Sequence, residues 1–129
     1  MSTGGGKTPA ATPLTDIEWQ WIETIEPDGS ASTPVPNPEK FTLVFRADGQ
    51  FNGQADCNIM SGRYTQDNGF RFMPGPSTMA YCGEDSLDGK YLEGLGRTAA
   101  KEIDDSGHLV LKSADNTTRM RFRNGGVAP

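Results

Sequence analysis

The chain has 129 residues, the size of one domain built around one hydrophobic core. It carries 17 acidic and 12 basic side chains, giving a formal net charge of −5. Because a phosphate backbone is bound by clustered Lys and Arg, this balance argues against a nucleic-acid partner. No segment reaches the ~20 consecutive apolar residues that a membrane-spanning helix needs, and the first residues lack the apolar run of a signal peptide.

The two ends of the chain have the composition of unfolded segments. Residues 1–13 are built mainly from Gly, Thr, Ala and Pro, and such a segment buries too little apolar surface to offset the entropy of ordering it. We predict a flexible N-terminal tether there. Residues 124–129 repeat this character and are predicted to fray. The folded domain is expected to span residues 14–123.

Apolar and polar residues alternate along most of this domain, as in strands with one buried face. Asp48-Gly49 and Asn68-Gly69 separate alternating runs and are typical hairpin turns, because the turn requires positive φ. About eight strands are therefore predicted. Their segments are 17–22, 41–45, 51–57, 63–66, 70–73, 101–104, 109–112 and 118–122.

One segment follows a helical period. Residues 87–95 place Tyr91 and three leucines at helical spacing, Asp85 or Ser86 can cap the start, and Gly96 can end the helix. Successive hairpins with this one insertion predict a mostly β fold, a barrel-like antiparallel meander of about eight strands with one short α-helix capping it. An open sheet with the helix across one face is the alternative.

Most of the large aromatic residues share inward parity along the predicted strands. A small barrel has room for side chains or for one small ligand, so we expect the interior to be filled and not to bind a ligand. The inward residues are Trp19, Trp21, Phe41, Phe45, Phe51, Tyr64, Phe70, Phe72 and Phe122.

Three short runs, at residues 56–58, 61–64 and 77–82, resemble in order and spacing the signature of the META domain (HslJ-like) family. The likeness covers nearly the whole chain beyond the tail. It implies a small antiparallel β-barrel with a helix, of a kind found in bacterial envelope, secreted and lipid-anchored proteins, without established catalytic residues. Asp56 stands where the family more often has Gly. The motif residues interpreted as structural are Asp56, Asn58, Gly62, Tyr64, Thr78 and Met79.

The chain has two cysteines, a count compatible with one disulfide or with two buried thiols. Cys57 shares parity with Phe51 and is expected to face the interior, while Cys82 lies just ahead of the helix. The extracytoplasmic context implied by the family favours a Cys57–Cys82 disulfide. Two cysteines and one distant histidine, His108, do not form a tetrahedral zinc set, so we expect no metal site.

Catalytic motifs are not found in the sequence. His108 follows a Ser-Gly turn and is expected to be solvated, away from any nucleophile. No nucleophile elbow, phosphate-binding glycine loop or metal-binding His-Glu helix occurs. We therefore expect no catalytic residues and no cofactor.

Two surfaces are candidates for recognition. The long connection between the first two strands, residues 26–39, is stiffened by prolines and is either an inert link or a partner-binding loop. Alternation on the last strand places three arginines on one face, either solvated or able to bind an anion. The loop candidates are Pro27, Pro34, Val35, Pro36, Asn37 and Pro38, and the arginines are Arg119, Arg121 and Arg123.

The leading functional hypothesis is a monomeric, non-enzymatic envelope or cell-surface module that acts in stress tolerance by binding an unidentified protein. We expect an exported protein located in the periplasm, on the cell surface or outside the cell, with Met1 in the place of a lipid-anchored cysteine. One alternative is an inhibitor of a secreted protease or lysozyme that presents the 26–39 loop. Another is a lipocalin-like carrier of a small apolar ligand.

Overall fold

A computed structural model describes residues 14–31, 34–67 and 69–128. The predicted tether, residues 1–13, and the turn residue Asn68 lie outside the described residues. The described part contains eight strands, one α-helix and a short 3-10 helix. The strands are β1 Ile17–Ile25, β2 Phe41–Phe45, β3 Gln50–Ala55, β4 Asn58–Thr65, β5 Arg71–Ser77, β6 Thr98–Ile103, β7 Leu109–Ser113 and β8 Arg119–Val127; the 3-10 helix is Pro38–Lys40 and α1 is Asp88–Gly96.

The strands form one antiparallel sheet in the order β5-β4-β3-β2-β1-β8-β7-β6. Strands that follow one another in the chain are paired, except β5 and β6, which form the two outer edges of the sheet. The first and last strands, β1 and β8, are also paired. The sheet curls into a half-barrel. The outer edges meet at one end, where the Phe70 N–H donates to the Ala99 carbonyl at 2.8 Å. The predicted meander of about eight strands with one helix is confirmed.

The C-terminal strand is longer than the sequence pattern indicates. We predicted that residues 124–129 fray, but β8 continues to Val127, with Asn124 opposite Trp19 and Val127 opposite Ile17. Beyond it the Ala128 N–H donates to the Asp16 carbonyl at 2.9 Å. Residues 124–128 hydrogen-bond to backbone N–H and C=O groups at the start of β1, which would otherwise be unpaired. These bonds order the C-terminal segment although it buries little apolar surface.

The predicted aromatic residues line the inside of the curled sheet. Eight of the nine are buried and Phe72 is half-buried. Ring contacts join eight of these nine residues in two groups. The helix-side cluster contains Trp21, Phe41, Phe122 and, from α1, Tyr91; the far cluster contains Phe45, Phe51, Tyr64, Phe70 and Phe72.

The helix is anchored to this interior by Tyr91. Its ring stacks on Trp21 with centroids 5.2 Å apart, and its hydroxyl donates to the Thr42 carbonyl at 2.8 Å. Burial raises the pKa of Tyr91 well above its ordinary value of 10. Gly94 permits the close approach of α1 to the sheet, since a Cβ there would lie 2.5 Å from the Met120 sulfur. Leu92, assigned by spacing to the apolar face, is exposed.

Candidate functional site

A groove of about 530 Å³ lies between α1 and the connection from β1 to β2. Its floor includes Trp21, Phe41 and Met120, three side chains of the core that are almost fully buried. The groove therefore exposes the inner surface of the sheet through a narrow opening beside the helix. Recognition sites have this form, an apolar floor with a few polar groups around it.

One wall is the proline loop, residues 26–39. Its fixed point is Val35, whose N–H donates to the Ile22 carbonyl at 2.9 Å and whose side chain is only 6% exposed. Val35, one of the candidate loop residues, is therefore packed against the core and also lines the groove. The loop has one aliphatic side chain, and burying it under the loop stabilises the connection by about 1.5 kcal/mol.

The other predicted loop residues have different positions. Pro34, Pro36 and Asn37 are exposed and line the groove beside Val35. Pro27 is exposed at the tight turn where the Gly29 N–H donates to the Glu26 carbonyl, outside the groove lining. Pro38 is half-buried and begins the 3-10 helix.

The opposite wall is one face of α1. Leu87, Lys90, Gly94 and Arg97 follow one another at spacings of three and four residues and all line the groove. Lys40, just past the proline loop, is the second lysine of the groove lining.

Charges of both signs surround the apolar floor. Arg97 is paired with Glu93 at 3.0 Å, and Asp56 accepts a hydrogen bond from the Ser86 hydroxyl at 2.6 Å. Lys40 has no ion pair within the described part of the chain. A groove of this kind suits a segment with an apolar side chain between polar or charged groups.

The predicted disulfide joins Cys57 and Cys82, with the Cα atoms 5.6 Å apart. Its position differs from the expectation. Cys57 is exposed, because Asp56 adopts a φ of +59° and Asp56-Cys57 form the turn between β3 and β4 instead of continuing the strand. The parity with Phe51 is lost at that turn.

Asn58 is the centre of a hydrogen-bonded corner next to the disulfide. Its buried side-chain oxygen accepts from the Thr78 hydroxyl at 2.8 Å and the Ala80 N–H at 2.7 Å, and its amide donates to the Ala80 carbonyl at 3.0 Å. Thr78 in turn accepts from the Ile59 N–H at 2.9 Å. We name residues 56–59 and 78–82 the disulfide corner.

The remaining motif residues are spread over β4 and the corner. A Cβ on Gly62 would lie 2.5 Å from the Met73 carbonyl oxygen, so only glycine fits between β4 and β5 at this point. The Tyr64 hydroxyl donates to the Arg46 carbonyl at 2.7 Å. Met79 is 88% exposed, and its sulfur accepts a hydrogen bond from the Ser77 hydroxyl at 3.8 Å. Sequence reasoning missed this exposure.

The three arginines do not form one open anion site. Arg121 is paired with Glu23 and lies 3.9 Å from Asp104, while Arg123 donates to the Gln20 side-chain oxygen at 2.8 Å. Arg119 is half-buried, and its Nε lacks a hydrogen-bond partner among the described residues.

The histidine belongs to the same network. His108, expected to be solvated, is half-buried with its Nδ1 3.7 Å from the Asp104 carboxylate. Burial acts to raise the pKa of Asp104, but backbone N–H groups of His108 and Ser106, with the charges of His108 and Arg121, lower it overall.

No group of three or more His, Cys, Asp and Glu side chains is arranged to hold a metal ion in the part of the chain that the structure describes. Within the same residues, no helix is long and apolar enough to cross a membrane.

Comparison with known proteins places this architecture in a family. A solved protein from Burkholderia xenovorans is 22% identical, with 95% of this chain and 94% of that chain covered and a TM-score of 0.62. A DUF4847-family protein from Bacteroides vulgatus is 16% identical, with 88% and 95% covered and a TM-score of 0.62. No curated protein matches the chain. The META domain model matches residues 12–126, and the chain belongs to the META domain family.

Proposed function

We propose that this protein is a non-enzymatic extracytoplasmic module of the bacterial envelope that binds a segment of another protein in the groove between the proline loop and α1. The observation that carries the proposal is the groove itself. It combines about 530 Å³ of space with a floor of buried core side chains and walls that carry charges of both signs. The META domain family is compatible with an envelope-associated role.

The proposed compartment is supported by the disulfide. Disulfides persist in the periplasm and outside the cell but are rare in the reducing cytosol. The Cys57–Cys82 bond is compatible with such a location. The chemistry of the groove contributes to the non-enzymatic part of the proposal, because its lining among the described residues contains neither Cys nor His, and its Ser86 hydroxyl donates to the Asp56 carboxylate instead of to an imidazole.

A peptide segment fits the groove for two reasons. The floor offers Trp21 and Phe41 to an apolar side chain, while Lys40, Lys90 and the acidic groups near the ends can pair with charges of either sign on the segment. The walls are held in place before binding, by the Val35 hydrogen bond on one side and Tyr91 on the other. Little ordering entropy is then lost when a partner docks.

A small-molecule carrier is the second candidate. The groove volume falls within the roughly 300–1,000 Å³ typical of small-molecule sites. The alternative of a hydrolase inhibitor gains no support, since the burial of Val35 removes the aliphatic side chain with which the loop would enter a target cleft.

The experiment places a photo-crosslinking amino acid at Asn37 on the loop wall or at Lys90 on the helix wall. Both residues line the groove, whereas Asp105, in the β6–β7 turn, is an exposed control outside it. Crosslinking in the intact envelope is expected to give the same protein adduct from both groove positions and none from Asp105.

Binding to that partner is then compared in two matched variants. Lys90→Trp fills the groove from the helix wall, while Leu92→Trp adds the same side chain at an exposed position of the same helix. We expect about a tenfold loss of affinity for the first and almost none for the second. Equal affinities, or crosslinks only at Asp105, would contradict the proposal. Saturable uptake of an apolar dye blocked only by Lys90→Trp would favour the carrier.

A further inference from the structure

We infer that the outer face of the disulfide corner is a second docking surface, for a protein that presents an apolar patch bordered by Lys and Arg. Large hydrophobic side chains are concentrated there. Met79 is 88% exposed, Tyr81 80% and Ile59 66%. Together with Met73 on β5, these make up four of the six exposed large hydrophobic residues in the described part of the chain.

The hydrogen bonds of the corner hold the segment that carries these side chains. Asn58 binds the Thr78 hydroxyl and the backbone of Ala80, so the chain is tied to β4 on either side of Met79. The side chains of Met79 and Tyr81 are left 88% and 80% exposed. Ile59 is paired with this segment, since the Thr78 N–H donates to the Ile59 carbonyl at 3.0 Å.

The corner is also held rigidly before any partner arrives. The disulfide ties Cys57 to Cys82, the residue after Tyr81, and the Asn58 side chain makes three hydrogen bonds to Thr78 and Ala80. Rigid presentation lowers the entropy lost on association. Tyr and Met are enriched at the centres of protein interfaces, and a monomer that needs no partner has little reason to expose them on its stiffest segment.

The charge around this face indicates the kind of partner. Glu84 and Asp85 follow Cys82, both are exposed, and neither forms an ion pair within the described residues. The net charge of the chain is −5. An acidic border repels an anionic lipid surface, which attracts Lys and Arg, and also repels the same border of a second copy. A protein with a basic border is the complementary occupant.

The test uses a phage-displayed library of random peptides selected against the full, oxidised chain. Enriched peptides are expected to combine an aromatic or aliphatic residue with Lys or Arg. Their affinity should fall about tenfold for Tyr81→Ser and for Met79→Ser, as for residues at the centre of an interface. Val127→Ser, which changes an equally exposed residue on β8, is the matched control and should retain full affinity.

Further measurements distinguish a basic protein partner from the other possible occupants, and binding at the corner from binding in the groove. Glu84→Gln, at a residue outside the groove lining, should weaken binding several-fold and reduce its salt dependence. Lys90→Trp, which fills the groove, should leave the affinity for the selected peptides unchanged. Unaltered melting temperatures for Met79→Ser and Tyr81→Ser would show that both variants fold.

Five outcomes would overturn the inference. The first three are enrichment of peptides without basic residues, equal peptide binding by Tyr81→Ser and the wild type, and loss of peptide binding in Lys90→Trp. The fourth is binding of the chain to vesicles of phosphatidylglycerol and phosphatidylcholine that Tyr81→Ser abolishes. The fifth is dimerisation in sedimentation that is lost in Tyr81→Ser, because it would assign the face to a second copy.

Discussion

The disulfide corner and the proline loop are both irregular connections, yet they are stabilised in different ways. The corner is fixed by a covalent bond and by the hydrogen bonds of Asn58, and its large apolar side chains face the solvent. The loop is fixed mainly at Val35, whose apolar side chain faces the core. Where polar and covalent bonds hold a segment, its apolar residues remain available for a partner.

This difference also separates the two proposed surfaces. The groove obtains its apolar character from Trp21 and Phe41 of the sheet, and the loop supplies only a wall. The corner supplies its own apolar residues, Met79 and Tyr81. A change in one surface is therefore expected to leave the other intact, unless it unfolds the domain.

The largest effect is expected from breaking the corner's covalent bond. Replacing both cysteines, Cys57→Ser with Cys82→Ser, releases a loop of about 26 residues and should lower the free energy of unfolding by about 3.5 kcal/mol on the chain-entropy estimate. Urea unfolding of the oxidised protein and of the double variant measures this. A difference below about 1 kcal/mol would show that the hydrogen bonds alone fix the corner.

The second prediction removes the hydrogen bonds and keeps the disulfide. Asn58→Ala leaves the Ala80 N–H and the Thr78 hydroxyl without their acceptor. Because the three hydrogen bonds of the Asn58 side chain to Thr78 and Ala80 are lost, we expect the free energy of unfolding to fall by about 2.5 kcal/mol. Asn52→Ala, an exposed position on β3, serves as the control. Equal stability of the two variants would disprove the structural role of Asn58.

The third prediction concerns the fixed point of the proline loop. Val35→Ala removes two buried methyl groups and should destabilise the protein by about 1.5 kcal/mol. Asn37→Ala, at an exposed position two residues away, should change stability by less than about 0.5 kcal/mol. Thermal unfolding of the two variants measures this difference in stability. A neutral Val35→Ala would mean that the loop is held by the Ile22 hydrogen bond alone.

The smallest effect is expected at the turn between β7 and β8, which has neither a disulfide nor a buried anchor. Hydrogen bonds from Ser113 and Thr117 lower the pKa of Asp115 from 3.8 to about 2. A lowered pKa in the folded state stabilises the protein above pH 3.8, and this contribution is lost as the pH falls toward 2. Asp115→Asn should therefore show a slightly smaller fall in melting temperature between pH 4 and pH 2. A larger fall than in the wild type would contradict the assignment.

Much of the fold was predictable because the responsible signals are local. Alternation along 41–45 and 51–57 indicated strands, and Asp48-Gly49 indicated the turn between them, since each pattern reflects only neighbouring residues. The META resemblance supported the overall architecture and the Cys57–Cys82 pair. The family match over residues 12–126 agrees with that reading.

The candidate sites were less predictable, because exposure depends on what other segments cover. The sequence singled out the proline loop and the disulfide pair but assigned the wrong direction to Cys57 and none to Val35. A positive φ at Asp56 turns Cys57 outward, and a hydrogen bond from Val35 to Ile22 holds the loop against β1. Neither is visible in a pattern of hydrophobic and polar residues.

The sequence by itself therefore indicated the strands and the helix, because periodicity and turn chemistry act over a few residues, while the cysteine pair followed from the family resemblance. Only the tertiary structure decided that β8 extends to Val127 along β1, that Tyr91 fills the helix-side cluster, and that Met79 and Tyr81 remain exposed. Each of these depends on partners far away in the chain. Burial and hydrogen bonding between distant segments, rather than local preference, set the direction of those side chains.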